Sequence, residues 1–234
     1  MSAHAGLRGL YVTGTDTGIG KTVASVALLH ALRAQGLRAI GMKPVASGCA
    51  RTSDGWRNDD ALTLLDASDP TPSYHDVNPY ALPIATAPQL AARDAGVTLT
   101  LAPIRQAYAR LAASADVVVV EGVGGWAAPL ADDLEQADVA RALGVPVLLV
   151  VGLRLGCLNH ARLTARAIAA DGLSLRGWIG NAIDARFDRG EDYLALLRAA
   201  LPAPCIGVLP HAPEATAQLQ ARCLDLSQQS DWHP

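Results

Sequence analysis

The chain has 234 residues, and a chain of this length buries roughly 70 per cent of the surface that it exposes when unfolded. Half of its residues are hydrophobic and 18% are charged, so the composition excludes an intrinsically disordered chain and favours one sizeable core. The net charge is -3 and no basic stripe runs along the sequence, which argues against nucleic acid as a partner.

The sequence also lacks the signals of a membrane or secreted protein. Its longest apolar run, residues 145–153, is about half of the ~18 residues that a membrane-spanning helix needs. Residues 1–9 have no apolar h-region, so neither a signal peptide nor an anchor is predicted. We therefore expect a cytoplasmic protein with small-molecule partners. Neither a zinc site nor a disulfide framework is indicated by the four scattered cysteines, Cys49, Cys157, Cys205 and Cys223.

Apolar runs of strand length alternate with longer amphipathic stretches along the chain. The runs are apolar throughout, a pattern typical of strands covered on both faces. Strands are predicted over residues 9–13, 39–44, 117–120, 147–151, 175–181 and 205–209. Helices are predicted over residues 21–34, 101–113, 136–143, 159–170 and 191–201. The alternation predicts a single α/β domain over residues 1–234, with a mostly parallel central sheet of six or seven strands flanked by helices.

One long interval, residues 46–100, interrupts this alternation. It carries five prolines and only short helical patterns, at residues 60–65 and 89–94. An excursion of this length inside a compact domain usually serves a site, so we expect it to lie on the substrate side. The C-terminal tail, residues 228–234, is expected to fray.

A glycine-rich motif, GTDTGIGKT at residues 14–22, stands where the first predicted strand meets its helix. It is typical of a P-loop, whose backbone N–H groups and helix N-terminus hold the phosphates of ATP. Lys21 is expected to reach the terminal phosphates and the Thr22 hydroxyl to bind magnesium. The loop is one residue longer than usual, since five residues separate Gly14 from Gly20. The motif predicts a fold of the P-loop NTPase type, with nucleotide-binding residues Thr15, Asp16, Gly18, Ile19, Gly20, Lys21 and Thr22.

An acidic residue, Glu121, ends the third predicted strand. In sheets of this kind the carboxyl ends of the central strands lie beside the P-loop, where ligands collect. Magnesium binds through one or two carboxylates plus phosphate oxygens, so Glu121 and either Asp59 or Asp60 are candidate ligands. Both aspartates are also explained as simple caps of a short helix.

Lys21 and Lys43 are the only lysines among 19 basic residues, and each lies at a junction where a predicted strand gives way to a loop or helix. A lysine is a compact point charge, whereas arginine carries a wide planar fork, so a crowded anion site favours lysine. We expect Lys43 to point into the same crevice, where an anionic co-substrate meets the terminal phosphate. The alternative is a strand-end lysine in solvent.

Six segments, which lie in order over about residues 10–210, together resemble one family. They are GTDTGIGKT, KPVASG, RNDDAL, VEGVGGW, GLRLGCLNHA and GWIGN. This set is similar to dethiobiotin synthetase, and KPVASG with VEGVGGW is far more specific than the P-loop. The resemblance implies a ligase that closes the ureido ring of dethiobiotin from 7,8-diaminononanoate, CO2 and ATP, with Mg2+, and that works as a homodimer.

The resemblance also implies roles for individual residues. Thr22, Asp60 and Glu121 would hold magnesium, and Asp60 is preferred to Asp59 because it matches the last acid of the family's R-N-x-D pattern. Asn181 would read adenine, since a carboxamide pairs with both N6 and N7 of that base, and the backbone after Pro210 would complete the base pocket.

The resemblance further implies that Thr17, Lys21 and Lys43 are catalytic. Asn159 and Tyr193 match residues that hold the carboxylate tail of the substrate from the neighbouring subunit, although a helix N-cap and a packing ring also explain them. Some members carry an acid where this chain has Gly18, which leaves water or Asp16 as its replacement. The implied substrate-binding residues are Lys43, Ser47, Glu121, Gly124, Asn159 and Tyr193.

The implied reaction begins when an amine of the substrate captures CO2 as a carbamate. A carbamate oxygen attacks the γ-phosphorus of ATP and gives a carbamic-phosphoric anhydride and ADP. The second amine then closes on the activated carbonyl and expels phosphate.

Two other functions fit parts of the sequence. A nucleotide-switch ATPase of the partition or cell-division type, ParA- or MinD-like, shares this sheet and an extended P-loop. Such proteins place a second lysine five residues before the G-K lysine, where this chain has Asp16, and tend to carry a basic surface. A cobyrinate amidase has a similar synthetase domain, but its glutamine-hydrolysing domain does not fit in 234 residues.

Overall fold

The computed structural model of the chain describes residues 9–212 and 214–227, so the predicted tail at residues 228–234 lies outside the described residues. The strands are β1 (Gly9–Gly14), β2 (Ala39–Met42), β3 (Val45–Ser47), β4 (Ala50–Thr52), β5 (Gly55–Arg57), β6 (Tyr80–Leu82), β7 (Val117–Glu121), β8 (Pro129–Ala131), β9 (Leu134–Glu135), β10 (Val147–Leu153), β11 (Leu175–Ala182) and β12 (Cys205–Leu209). The helices are α1 (Lys21–Ala34), α2 (Asp59–Ala67), α3 (Tyr74–Val77), α4 (Pro88–Asp94), α5 (Leu101–Ser114), α6 (Gln136–Leu143), α7 (Cys157–Ala170), α8 (Gly190–Ala200) and α9 (Ala217–Ala221).

One parallel sheet of six strands, in the order β12-β11-β10-β1-β7-β2, forms the centre of the molecule. The chain starts in the middle of this sheet at β1, builds β2 and β7 on one side and then crosses to β10, β11 and β12 on the other. A crevice therefore opens at the carboxyl end of β1, where ligands bind in sheets of this topology. The predicted single α/β domain with a parallel central sheet is confirmed.

Both faces of the central sheet are buried, as the apolar runs predict. Tyr11, Val118 and Val120 belong to the core cluster on one face, whereas Leu10 and Val12 belong to the cluster on the other. Successive side chains of a strand point to opposite faces, so an all-apolar run fits a sheet with helices on both sides. Among the described helices, none is long and apolar enough to cross a membrane.

The predicted elements differ from the observed ones mainly at their ends. The second strand ends at Met42 rather than at residue 44, because the Lys43 N–H donates to the Val77 carbonyl outside the sheet at 2.7 Å and Pro44 has no N–H to donate. The helix predicted from residue 159 begins at Cys157. The short pairs β3–β6, β4–β5 and β8–β9 were not predicted, since strands of two or three residues are too short to show a periodic pattern.

The excursion packs against the sheet through a close contact between β2 and α2. A Cβ placed on Gly41 would lie 2.8 Å from the Cβ of Leu64, so a side chain at residue 41 would push α2 away from the sheet. The Gly41 N–H also donates to the Ser68 hydroxyl at the end of α2, at 2.9 Å. Gly41 therefore sets how closely α2, which carries Asp60, approaches the carboxyl end of β2.

We predict that Gly41→Ala lowers the free energy of unfolding by about 1–3 kcal/mol, because the added methyl overpacks the β2–α2 contact. Urea denaturation measures the change. Gly190→Ala is the matched control, since a Cβ there meets nothing within 4 Å, and it should change stability by less than about 0.5 kcal/mol. Equal stability of the two variants would show that the close approach at Gly41 is unimportant.

Candidate active site

The P-loop follows β1 and ends at the first residue of α1. Gly18 and Gly20 have φ values of 71° and 80°, a left-handed conformation that glycine adopts without strain. Gly20 is the N-cap of α1 and provides no side-chain cap. The first N–H groups of the helix are therefore available to an anion, as at other phosphate-binding helix N-termini.

Lys21 lies over this loop and is only 7% exposed. Its Nζ donates to the Asp16 carbonyl at 2.9 Å, which fastens the ammonium across the loop. Burial, together with repulsion from the Lys43 ammonium, lowers the pKa of Lys21 to about 8. A phosphate group would meet here a cation that is poorly neutralised by its surroundings.

Glu121 ends β7 and is fully buried. Its Oε1 accepts from the Thr22 hydroxyl at 2.9 Å and from the Lys43 Nζ at 2.5 Å. Its Oε2 is buried and has no hydrogen-bond partner in the described structure. A buried carboxylate oxygen without a partner is strongly unfavourable, so this atom is suited to a cation that arrives with the ligand.

Lys43 joins Glu121 to Asp60. Its Nζ donates to the Asp60 Oδ2 at 2.8 Å, and the residue is only 3% exposed, so the alternative of a lysine in solvent is wrong. Burial alone would lower the pKa of Lys43, but the carboxylates of Glu121 and Asp60 outweigh it and raise that pKa. Burial likewise acts to raise the pKa of Asp60, and the Lys43 ammonium outweighs it and lowers that pKa. Both groups are therefore charged at neutral pH.

The donor set at this point fits magnesium. Thr22, Asp60 and Glu121 offer only oxygen atoms, which Mg2+ prefers. In the part of the chain that the structure describes, no group of three or more His, Cys, Asp or Glu side chains is arranged to hold a metal. The protein thus provides two carboxylates and a hydroxyl rather than a complete cage, as expected for an ion that shares its coordination with phosphate oxygens and water.

A cavity of about 440 Å3 lies above these groups. Predicted site residues that line it are Thr17, Gly18, Gly20, Lys21, Thr22, Lys43, Ser47, Asp60, Glu121 and Gly124. Ala46, Asn58 and Val123 also line it and were not predicted. Asn58 is the N-cap of α2, so neither Asp59 nor Asp60 is the cap of that helix. The Ser or Asn that precedes an acidic first turn is a cap signal, and it would have identified Asn58.

A second cavity, of about 600 Å3, shares Gly18, Gly20 and Thr22 with the first and extends to Asn181 and Pro210. The Asn181 Nδ2 donates to the Ile19 carbonyl of the P-loop at 2.8 Å. One amide hydrogen and the Oδ1 of Asn181 are left for a ligand. The two cavities therefore adjoin at the P-loop, one beside Asp60 and Glu121 and the other at the predicted base pocket.

Several predicted site residues lie outside both cavities. Asn159 is exposed and is the third residue of α7, whose N-cap is Gly156, so its interpretation as an N-cap is wrong. The Tyr193 ring packs edge-on against the Phe187 ring, and the two ring centroids are 4.8 Å apart. Thr15 lines a separate cavity beside Trp126. Ile19 is buried in the core.

The Asp16 carboxylate is directed towards a residue that was not predicted. Its Oδ2 lies 2.5 Å from the Arg154 guanidinium just after β10. Both side chains of this pair are about half exposed, so either water or Asp16 stays a prediction for the replacement of the acid that some dethiobiotin synthetases carry at the Gly18 position. A Cβ at Gly18 would meet nothing within 4 Å, so the space at that position is open. Arg154 lies within the GLRLGCLNHA segment. Its ion pair with Asp16 was not predicted because the two residues are 138 positions apart in the sequence.

We predict that binding of a nucleoside triphosphate takes up about half a proton at pH 8, because phosphate restores the full charge of Lys21, whose pKa of about 8 leaves it half deprotonated in the free protein. Affinity should fall as the pH rises above 8. Titration calorimetry in two buffers of different ionisation enthalpy measures the uptake. Lys21→Arg remains charged throughout and should show no such uptake, whereas wild-type protein without proton uptake would contradict the assignment.

Comparison with known proteins places this geometry in a family. The profile of a family described as an AAA domain matches residues 8–219. Two proteins named ATP-dependent dethiobiotin synthetase BioD are close relatives. The protein of Xanthomonas oryzae pv. oryzae (strain PXO99A) is 64% identical over 216 residues, 92% of this chain and 96% of the relative. The protein of Xylella fastidiosa (strain 9a5c) is 63% identical over 207 residues, 88% of this chain and 92% of the relative.

Solved structures resemble the chain in fold. The MinD cell division protein of Aquifex aeolicus has a TM-score of 0.55 at 14% identity, covering 94% of this chain and 89% of that one. The signal recognition particle receptor FtsY of Elizabethkingia anophelis in complex with GDP has a TM-score of 0.51 at 17% identity, covering 91% and 59%. These similarities show a shared architecture and nothing about function. The identity to the BioD proteins is far higher, 63–64% over 88–92% of this chain, and the chain belongs to the dethiobiotin synthetase family.

Proposed function

We propose that the chain forms dethiobiotin from 7,8-diaminononanoate, CO2 and ATP. Relatives with 64% identity over 92% of the chain carry the name ATP-dependent dethiobiotin synthetase. The observation in the structure that best supports this activity is the buried Lys43 ammonium, which faces the same cavity as the P-loop lysine. Two cations at one cavity suit a reaction in which two anions, a carbamate and a triphosphate, must approach each other.

The triphosphate is proposed to extend across the two adjoining cavities. The base would lie in the larger cavity, where Asn181 offers a donor and an acceptor to adenine, with the backbone near Pro210 beside it. The phosphates would lie on the P-loop, with Gly18, Ile19 and Gly20 as backbone donors. Lys21 would then leave the Asp16 carbonyl for the terminal phosphates, a partner of higher negative charge.

Magnesium is the proposed cofactor, held by Thr22, Asp60 and Glu121. The orphaned Oε2 of Glu121 supports this set, since a cation there would satisfy a buried acceptor. When bound, magnesium neutralises negative charge on the transferred phosphoryl group. Lys43 bridges the same two carboxylates, so these three charged groups stand around one point.

The chemistry proposed at that point needs positioning and charge neutralisation rather than an enzyme nucleophile. An amine of the substrate captures CO2 as a carbamate and loses a proton. A carbamate oxygen then attacks the γ-phosphorus and forms the carbamic-phosphoric anhydride, as the bond to the β-phosphate oxygen breaks and ADP leaves. Lys43, Ser47 and Thr17 line the cavity in which the carbamate would lie. The second amine then attacks the anhydride carbonyl, and phosphate leaves as the ring closes.

A homodimer, in which a neighbouring subunit holds the substrate tail through Asn159 and Tyr193, is part of the proposal, as is a cytoplasmic location. Asn159 and Leu163 are four residues apart on α7 and so share one face of that helix. Leu155 and Leu163 are 80% and 54% exposed, an apolar surface beside Asn159 that a second copy of the chain would cover.

We predict that Lys43→Gln lowers kcat by about 100- to 1000-fold, because the uncharged amide cannot neutralise the carbamate and phosphoryl charge. Nucleotide binding should survive within about tenfold, since the P-loop is intact. The assay mixes labelled bicarbonate, ATP and 7,8-diaminononanoate and measures the labelled cyclic urea. Arg38→Gln is the matched control, because Arg38 lies just before the other end of β2, half exposed and paired with Asp116, and it should retain full activity.

Two results would contradict the role of Lys43 or the proposed activity. A Lys43→Gln protein with near-normal turnover would exclude the proposed role of this residue. A folded wild-type protein that makes no cyclic urea would favour the nucleotide-switch alternative, which ATP-driven binding to DNA or lipid would then test.

We predict that mixing two defective proteins, Lys43→Gln and Asn159→Ala, restores activity to about 25% of wild type. Half of the dimers formed at random are mixed, and one of their two sites combines an intact Lys43 with an intact Asn159 of the partner copy. The assay uses 7,8-diaminononanoate below KM. Absence of recovery, despite mixed dimers isolated by two different affinity tags, would exclude a site shared between subunits.

A further inference from the structure

The backbone of Lys43 is held from outside the central sheet. Its N–H donates to the Val77 carbonyl at 2.7 Å, and its carbonyl accepts from the Asn78 Nδ2 at 2.6 Å. Asn78 follows α3 and is only 2% exposed. The point at which the Lys43 side chain leaves the backbone is therefore determined by the end of α3 rather than by a strand neighbour.

The start of α2 is also fixed by hydrogen bonds. The Asn58 Oδ1 accepts from the Ala61 N–H at 3.2 Å and caps the helix, and its Nδ2 donates to the Ser47 carbonyl at 3.4 Å. The Asn58 N–H donates to the Tyr74 hydroxyl at 2.8 Å. Asp60, the second residue of α2, takes its position from this capped turn.

One hydroxyl connects these two anchor points. Tyr74 accepts from the Asn58 N–H and donates to the Asn78 Oδ1 at 3.1 Å. Its ring is held by the Arg57 guanidinium, 4.1 Å from the ring centroid. Burial raises the pKa of the Tyr74 hydroxyl, so the group keeps its proton at neutral pH and can donate and accept at once.

We propose that the Tyr74 hydroxyl is a positioning group that sets the distance between the Lys43 ammonium and the Asp60 carboxylate. The hydrogen bonds form a closed ring, which runs from the Lys43 carbonyl through Asn78, Tyr74 and Asn58 to α2, and returns from Asp60 to the Lys43 Nζ at 2.8 Å. Tyr74 does not itself line the cavity in which the reaction would take place, and its hydroxyl contacts that lining only through Asn58, so it acts through Lys43 and Asp60. This inference rests on the proposed function, because it assigns those two residues to the reacting groups.

The test is Tyr74→Phe, which keeps the ring and its contact with Arg57 and removes only the hydroxyl. We expect kcat to fall roughly 10- to 100-fold, the scale of a misplaced catalytic group. The KM for ATP should stay within about twofold, because the P-loop provides ground-state binding. Hydrogen exchange of the free protein should become faster in peptides that cover residues 58–61.

Tyr80→Phe is the matched control. Tyr80 is half-buried in the same excursion, and its hydroxyl accepts from the Thr100 N–H at 3.1 Å, away from Lys43 and Asp60. It should leave kcat and the exchange of residues 58–61 unchanged. A Tyr74→Phe protein with a kcat within twofold of the Tyr80→Phe protein would overturn the proposal.

Two provisions keep the test decisive. If Tyr74→Phe does not fold, Asn78→Asp replaces it, because the aspartate still accepts from the Tyr74 hydroxyl but cannot donate to the Lys43 carbonyl. The same loss of kcat is expected. A normal kcat would overturn the proposal. If wild-type protein makes no cyclic urea, the proposed function fails by itself. Exchange in the free protein then decides about Tyr74, and unchanged exchange at residues 58–61 would overturn its role.

Discussion

The Lys43 ammonium is held almost out of water between two carboxylates, and the arrangement of the whole crevice depends on this contact. Its Nζ lies 2.5 Å from the Glu121 Oε1 and 2.8 Å from the Asp60 Oδ2. The Lys43–Glu121 pair, whose side chains are 4% and 0% exposed, adds little net stability, because removing both charges from water offsets their attraction. What it provides is a positive charge fixed in place before any substrate arrives, which is the form of electrostatic stabilisation that is most effective in catalysis.

The parallel sheet brings these charges together through its register. Strand β7 lies between β1 and β2. Met42 is paired with Val120 and Val12 with Glu121, so Lys43, Glu121 and the start of the P-loop follow one another at the same edge of the sheet. Asp60 alone comes from outside the sheet, and its position requires the close packing of α2 on β2. The long excursion is thus the part of the fold that completes the cluster.

Local signals made much of this predictable from sequence. The six central strands are apolar on both faces and were found, and the P-loop and the acid at residue 121 mark the carboxyl ends of two of them. Contacts between residues that are far apart in the sequence leave no local pattern from which they could be predicted. The bonds of Tyr74 to Asn58 and of Asn78 to the Lys43 carbonyl join residues 16 and 35 apart, and no periodicity reveals a single hydroxyl between two amides. The roles of Asn159 and Tyr193 stay predictions, because they depend on a second chain.

MinD and FtsY resemble this chain in fold alone. The architecture therefore does not by itself determine function, which depends on the groups around the P-loop. In this chain two ammonium groups and two carboxylates share one cavity and nearly neutralise each other. An arriving triphosphate with magnesium carries its own cation and its own anion. In the proposed complex the carboxylates would turn to the metal and the ammonium groups to the phosphates, so each buried group would keep a partner of opposite charge while the reactants add net negative charge to the cavity. In the proposed complex the site would thereby bind highly charged reactants without leaving an unpaired charge in a buried place, which is the condition that a low-dielectric cavity imposes.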